Sequence, residues 1–174
     1  MKNNTRNIYL IGMMGSGKSV TGKALAVLCD ASFVDLDNEI EKEEGRAVSE
    51  IFAKSGEPYF RRVESAVLEN FSRKNNQVIA AGGGIILSSV NVHRIKETGT
   101  VILLDASAIT LWRRLQHSKG RPLLNKPDPF ETLTQILNDR EPLYKKACHF
   151  SVSTDGKSAE DVAQEIRKVV KSIP

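Results

Sequence analysis

The sequence is poor in cysteine, in aromatic residues and in long apolar runs. Its 174 residues include two cysteines, Cys29 and Cys148, three histidines and one tryptophan, and aromatic residues make up 6% of the chain. Two cysteines are too few for a disulfide scaffold, and neither they nor the histidines have metal-site spacing, so we expect buried free thiols. No apolar stretch approaches the roughly 20 residues of a membrane span, and residues 1–7 lack the apolar core of a secretory signal. These absences favour a cytoplasmic protein that does not bind a membrane.

The chain also lacks blocks of charge. It has 25 Lys and Arg residues against 21 Asp and Glu, a formal net charge of +4, and the basic residues are dispersed. This pattern favours a small anionic partner over a nucleic-acid backbone. The length suits one well-buried α/β domain and is short for two, so we expect a single domain over residues 1–174.

The most informative stretch that is present runs from Gly12 to Ser19. It reads GMMGSGKS and matches the phosphate-binding loop G-x-x-x-x-G-K-[ST], between an apolar run at 8–11 and a helical pattern at 17–29. Glycines let backbone N–H groups turn toward phosphate oxygens, and the helix that follows points its positive end at the same place. Lys18 would add a cation and Ser19 a hydroxyl for Mg²⁺. The alternative is a glycine-rich turn that fits the pattern by chance, but motif and context together predict a nucleotide site.

Apolar runs alternate with helical patterns along the rest of the chain. Besides 8–11, the sequence predicts strands at 33–37, 77–81, 100–104 and 150–152. Short helices broken at Gly45 and Gly56 follow the second strand, and Pro142 should bend or end early a long helix that begins near Pro129. The alternation predicts an α/β protein with three layers, α/β/α, around a five-stranded parallel sheet.

Four features of the sequence fall where predicted strands end. These are the phosphate loop, the acidic pair at 35 and 37, the triple glycine at 82–84 and the loop after the fourth strand. Because ligands of such sheets bind beyond the carboxyl ends of the strands, we expect the four to share one crevice.

Asp35 and Asp37 alternate along the end of the predicted second strand, so they need not point the same way. One carboxylate could hold Mg²⁺, directly or through water, while the other accepts the proton of an attacking hydroxyl group. A pair of surface carboxylates near a turn is the alternative. Their position in the crevice favours the catalytic interpretation.

The residues Gly82-Gly83-Gly84 could bring backbone N–H groups close to a carboxylate or hydroxyl group, or could simply be a flexible turn. Arg61 suits bidentate carboxylate recognition, although an intrahelical ion pair with Glu64 is equally compatible with the spacing. Arg121 lies in a predicted mobile loop at 118–128, from which it could fold over the nucleotide and neutralise charge during transfer. Arg140 could bind ligand or remain a solvated surface side chain.

Taken together, these motifs resemble the shikimate kinase family, whose fold is the P-loop fold of the nucleoside-monophosphate kinases. The resemblance covers essentially the full length and rests on GMMGSGKS at 12–19, DLD at 35–37, FRRVE at 60–64, GGG at 82–84, RPLL at 121–124 and REPLY at 140–144. It implies transfer of the γ-phosphoryl group of ATP to the 3-hydroxyl of shikimate, in the pathway to chorismate and aromatic amino acids. It also implies an acceptor-binding region at about 36–64, a lid at about 115–127, and a monomer that takes shikimate, binds no nucleic acid and needs ATP and Mg²⁺.

The same resemblance implies a role for each site residue. Asp37, Lys18 and Arg121 would be catalytic, and Ser19 with Asp35 would support Mg²⁺. The implied nucleotide contacts are Gly15, Ser16, Gly17, Lys18, Ser19, Val20, Arg114 and Arg121. The implied shikimate contacts are Asp37, Arg61, Gly82, Gly83, Gly84 and Arg140. A second adenine contact would come from the loop at 153–158, in which the resemblance identifies no single residue.

Two other readings of the sequence remain open. Another small-molecule kinase of the same fold, such as a gluconate kinase or a nucleoside-monophosphate kinase, would share the phosphate loop. A non-catalytic nucleotide-binding module would share the fold, but would be expected to have lost Lys18, Asp37 or an active-site arginine, and none of these is missing.

Overall fold

The structure is a computed structural model that describes residues 6–116 and 127–172. Within these residues, five parallel strands form one sheet in the order β2-β3-β1-β4-β5. The strands are β1 (Asn7–Ile11), β2 (Ser32–Asp35), β3 (Gln77–Ala80), β4 (Gly99–Asp105) and β5 (Phe150–Ser153). The first strand is central because Ile8 aligns with Val78 on one side and with Thr100 on the other. The predicted parallel sheet is confirmed.

Helices connect the strands and cover both faces of the sheet. They are α1 (Lys18–Cys29), α2 (Leu36–Glu44), α3 (Val48–Ser72), α4 (Ser89–Thr98), α5 (Ala108–Leu115), α6 (Pro129–Ala147) and α7 (Ala159–Lys171). Alternate side chains of each buried strand point to opposite faces, so Leu10 packs with residues of α1 and α7, whereas Ile11 packs with residues of α3 to α6. One apolar cluster thus lies on each face of the sheet, between the strands and the covering helices, which gives the predicted three layers, α/β/α.

Local signals set most of the element boundaries. Gly45 ends α2 with φ 66°, and Gly56, with φ 79°, interrupts helical geometry inside α3, as the sequence predicted. Ser158 and Asp161 form a capping box at the start of α7. Of the two expectations for Pro142, an early end of the helix is wrong, because α6 continues through it to Ala147, and a bend stays a prediction.

The sequence prediction of the second strand also needs a correction. The strand ends at Asp35, and Asp37 lies in the first turn of α2 instead of at the end of a strand. The Asp35 side chain accepts hydrogen bonds from the backbone N–H groups of Asp37 and Asn38, and this cap starts the helix two residues earlier than the apolar pattern indicated.

The structure also bears on the predictions for the cysteines, for membrane-spanning helices and for the lid. Cys29 and Cys148 are free thiols and are partly buried. None of the described helices has the length and apolar character needed to cross a bilayer. The predicted lid lies almost entirely at 117–126, outside the described residues.

Candidate active site

The phosphate loop connects β1 to α1 at the carboxyl edge of the sheet. Gly15 has φ 80°, a conformation that favours glycine, and a Cβ there would lie 2.8 Å from Cγ of Leu115. The Lys18 ammonium donates to the carbonyl oxygens of Gly12 at 2.9 Å and Met13 at 3.0 Å, which holds it against the loop. The buried Ser16 hydroxyl has no hydrogen-bond partner among the described residues. A loop of this shape, with a held cation and an unsatisfied hydroxyl, is suited to a phosphate group.

Ser19 and Asp35 place two oxygen ligands beside the loop. The Ser19 hydroxyl donates to Oδ2 of Asp35 at 2.5 Å, and the other carboxylate oxygen of Asp35 caps α2. Mg²⁺ prefers oxygen ligands and is commonly held by one or two protein groups together with substrate phosphates. The donor set at Ser19 and Asp35 therefore fits Mg²⁺.

Asp37 faces the triple glycine from the start of α2. A Cβ on Gly82 would lie 3.1 Å from Oδ1 of Asp37 and 2.7 Å from Oε1 of Glu64. The contact with Glu64 is closer than a real Cβ permits, so the two carboxylates can approach this backbone because residue 82 has no side chain. Glu64 is 1% exposed, and burial raises the pKa of its carboxyl group, against the opposing effect of Arg61 and with a further contribution from Asp37.

Arg61 reaches the same place from α3. Its guanidinium donates to Oε2 of Glu64 at 2.8 Å and to Oε1 of Glu57 at 2.9 Å, so the predicted intrahelical ion pair is present. Burial alone would lower the pKa of Arg61, but the two carboxylates outweigh it and the net pKa is raised. The guanidinium occupies the space that a side chain on Gly84 would need. The ion pair thus holds a charged group against the glycine backbone.

The helix α6 contributes two further side chains. Nη1 of Arg140 lies 3.4 Å from the carbonyl oxygen of Gly83, and the Tyr144 hydroxyl donates to the same oxygen at 2.5 Å. Tyr144 is 2% exposed, and burial raises its pKa to about 12. Arg140 and Arg61 therefore converge on consecutive glycines, which places two guanidinium groups beside the triple glycine.

Arg114 lies on the other side of the phosphate loop. Its guanidinium donates to the carbonyl oxygen of Gly15 at 3.1 Å, to the hydroxyl of Thr154 at 3.1 Å and to the Thr154 carbonyl oxygen at 3.0 Å. The arginine thereby joins the phosphate loop to the segment that follows β5. Both are segments in which the sequence predicted nucleotide contacts.

The structure brings most of the predicted residues to one edge of the sheet. Val20, in the first turn of α1, is 60% exposed. Arg121 lies outside the described residues, and its role stays a prediction. Sequence reasoning missed Glu57, Tyr144 and Thr154 as individual contributors. The spacing of Tyr144, one helical turn after Arg140, could have indicated it, whereas no periodic pattern marks Thr154.

Comparisons with known proteins identify the family. The family model described as shikimate kinase matches residues 14–171. The chain belongs to the shikimate kinase family. A shikimate kinase of Thermodesulfovibrio yellowstonii is 42% identical over 163 residues, which cover 94% of each chain. One from Nitrosospira multiformis is 41% identical over 162 residues, or 93% of this chain and 83% of that protein.

Solved structures of shikimate kinases agree with this fold. The enzyme of Acinetobacter baumannii in complex with shikimate superimposes with a TM-score of 0.94 at 37% identity, over 97% of this chain and 94% of the other. A gluconokinase of Sinorhizobium meliloti, at 15% identity and a TM-score of 0.57, shares the fold alone. As a shikimate kinase, the chain is a P-loop transferase that uses ATP as co-substrate.

Proposed function

We propose that this chain transfers the γ-phosphoryl group of ATP to the 3-hydroxyl of shikimate, giving ADP and shikimate 3-phosphate on the way to chorismate and aromatic amino acids. One observation supports the acceptor above all others. Arg61 and Arg140 converge on Gly83 and Gly84 next to Asp37, one strand away from the phosphate loop. The two guanidinium groups can bind the carboxylate of a ligand, and the Asp37 carboxylate can accept a hydrogen bond from one of its hydroxyl groups. A carboxylated cyclic polyol needs both kinds of contact.

The phosphate loop holds the donor. Backbone N–H groups of Gly15, Ser16 and Gly17, with the N-terminus of α1, surround the phosphates, and Lys18 turns from the loop carbonyls to the transferred group. Ser19 and Asp35 would hold Mg²⁺, which would neutralise phosphate charge. Arg114 contacts the adenine side, and Arg121, from the lid at about 115–127, completes the cations around the transferred group.

The region at about 36–64 holds the acceptor. Arg61 and Arg140 bind the shikimate carboxylate, while the backbone of Gly82, Gly83 and Gly84 and the carboxylate of Asp37 contact the ring hydroxyls. Neither the backbone N–H group of Gly83 nor that of Gly84 donates to another described residue, and both would donate to the bound ligand. Two guanidinium groups give the bidentate geometry that carboxylates prefer.

Transfer of the phosphoryl group then depends on the alignment of ATP with shikimate, and no covalent bond to the protein is formed. The 3-oxygen of shikimate forms a bond to the γ-phosphorus as the bond from that phosphorus to the bridging oxygen of ADP breaks. Asp37 accepts the proton of the 3-hydroxyl. Closure of the acceptor region and the lid would exclude water, which otherwise competes with shikimate for the phosphoryl group.

The partner of this enzyme is a small molecule. We propose that the protein is a monomer in the cytoplasm and binds neither nucleic acid nor membrane. The dispersed basic residues of the sequence support this proposal.

Product analysis tests the proposed chemistry. The chain is incubated with ATP, Mg²⁺ and shikimate, and the product is examined by ³¹P and ¹H NMR. We expect one phosphomonoester whose phosphorus couples to the ring proton on carbon 3. Phosphate on another ring oxygen, or release of inorganic phosphate alone, would contradict the proposal.

A further inference from the structure

Two side chains of α6 approach the carbonyl oxygen of Gly83, at unequal hydrogen-bond distances. The Tyr144 hydroxyl donates at 2.5 Å, whereas Nη1 of Arg140 lies at 3.4 Å, near the limit of a hydrogen bond. The two residues are four positions apart on one helix face. The hydroxyl of Tyr144 is therefore the main restraint on this carbonyl group.

Fixing this carbonyl also fixes the N–H group of Gly84. The two belong to one planar trans peptide, in which C=O and N–H point in opposite directions. With the oxygen of Gly83 held toward α6, the Gly84 N–H points away from α6. The following backbone adds a second restraint, because the N–H of Ile85 donates to Gly82 and that of Leu87 donates to Gly84.

Tyr144 is well suited to act as a permanent donor. Its ring belongs to the apolar cluster on the α3–α6 face, which limits its motion. Its raised pKa, caused mainly by burial, keeps the hydroxyl protonated over the pH range in which enzymes work. The Tyr144 hydroxyl also interacts with the Arg140 guanidinium, so it restrains both the Gly83 carbonyl group and that arginine.

We propose that Tyr144 is a positioning residue for the acceptor: its hydroxyl orients the peptide between Gly83 and Gly84 so that the Gly84 N–H faces shikimate, and it holds Arg140 beside this peptide. This inference rests on the proposed function. Tyr144 itself does not touch the acceptor, so its effect passes through the glycine backbone and through Arg140.

The test compares two single-oxygen deletions, Tyr144→Phe and Tyr9→Phe. Tyr9 is also fully buried, and its hydroxyl is 2.7 Å from Oγ1 of Thr98, at the end of α4. Steady-state kinetics of the wild type and both variants give KM for shikimate, KM for ATP and kcat, and thermal unfolding gives Tm. The loss of one buried hydrogen bond predicts about a tenfold rise in KM for shikimate in Tyr144→Phe. In that variant KM for ATP should stay within about twofold, and Tyr9→Phe should lower Tm without changing KM for shikimate.

A second measurement uses the wild type and does not depend on the variant folding. Saturating shikimate should move the amide proton resonance of Gly84 downfield in a ¹H–¹⁵N spectrum, since a new hydrogen bond forms there. An unmoved Gly84 resonance would overturn the inference.

The kinetic outcomes separate this inference from the proposed function. Wild-type turnover of shikimate with an unchanged KM in Tyr144→Phe would overturn the role of Tyr144 alone. Equal effects of Tyr144→Phe and Tyr9→Phe on KM for shikimate would show a general loss of core stability, and would overturn it as well. Absence of wild-type turnover with shikimate would overturn the proposed function and the inference together.

Discussion

Nη1 of Arg61 donates to Oε2 of Glu64 at 2.8 Å, and the acidic partner is the more deeply buried of the two, with 1% of its side chain exposed against 22% for Arg61. The second oxygen of Glu64 has no hydrogen-bond partner among the described residues. A buried ion pair of this kind contributes little net stability, because desolvation offsets most of the attraction. Its consequence is geometric, since Glu64 fixes where the Arg61 guanidinium lies relative to Gly84.

Glu64→Gln should therefore weaken the binding of shikimate, the acceptor, more than the binding of ATP, the donor. Glutamine keeps the size of the side chain but cannot hold the guanidinium by charge, so we expect KM for shikimate to rise about tenfold, as for a lost charge-assisted hydrogen bond. KM for ATP should hardly change. Initial-rate kinetics with each substrate varied in turn check this.

The matched control is Glu57→Gln. Glu57 also binds Arg61 but is 50% exposed, and exposed ion pairs contribute about 0–1 kcal/mol. We expect a change in KM for shikimate below about fivefold. Equal effects of the two substitutions would show that Glu64 has no special part in aiming Arg61.

Asp37→Asn tests the proposed base. The amide cannot accept the proton of the acceptor hydroxyl as a carboxylate does, so kcat should fall by a factor on the order of 10²–10⁴. ATP affinity, measured by calorimetry, should remain close to that of the wild type. Near-normal turnover would remove Asp37 from the mechanism.

Arg114→Ala and Arg113→Ala separate two adjacent basic residues. Arg114 is bonded to Gly15 and Thr154, so its loss should disturb the phosphate loop and raise KM for ATP about tenfold while leaving KM for shikimate nearly unchanged. Both arginines are exposed, and Arg113 serves as the control because the bonds to Gly15 and Thr154 come from Arg114. A larger effect of Arg113→Ala on KM for ATP would place the nucleotide contact one residue earlier.

His149 predicts a pH dependence of stability. Its Nδ1 accepts a hydrogen bond from the backbone N–H of Val101 at 2.9 Å, which requires this nitrogen to be unprotonated. Partial desolvation of the ring, together with the positive charges of Lys96 and Arg6, lowers the pKa of His149 below its ordinary value. The unfolded chain thus takes up the proton first, and stability present above the ordinary histidine pKa is lost as pH falls toward the folded-state pKa.

The measurement is the free energy of unfolding in denaturant at pH 7.5 and pH 5.5. We expect the wild type to lose more stability on acidification than His149→Gln, and the difference to be modest because the side chain is largely exposed. An identical loss in wild type and His149→Gln would contradict the account.

How far the sequence predicts this molecule depends on the range of the interactions. The P-loop and the helix breaks at Gly45 and Gly56 depend on neighbours within a few residues, so their patterns predicted them. The start of α2 was missed because Asp35 caps it with a carboxylate that the sequence analysis had assigned to a ligand. Contacts such as the hydrogen bond from Tyr144 to Gly83 join residues far apart in the chain. They form only once α6 has packed on the sheet, so no local pattern predicts them.

The central claim is that Asp37, Arg61, Arg140 and the triple glycine select shikimate as the acceptor. The most direct measurement is kcat/KM in a coupled ADP-release assay with shikimate, gluconate and nucleoside monophosphates, each at several concentrations with saturating ATP and Mg²⁺. We predict turnover with shikimate and none above background with the other acceptors. Turnover with gluconate or a nucleoside monophosphate and none with shikimate would contradict the account.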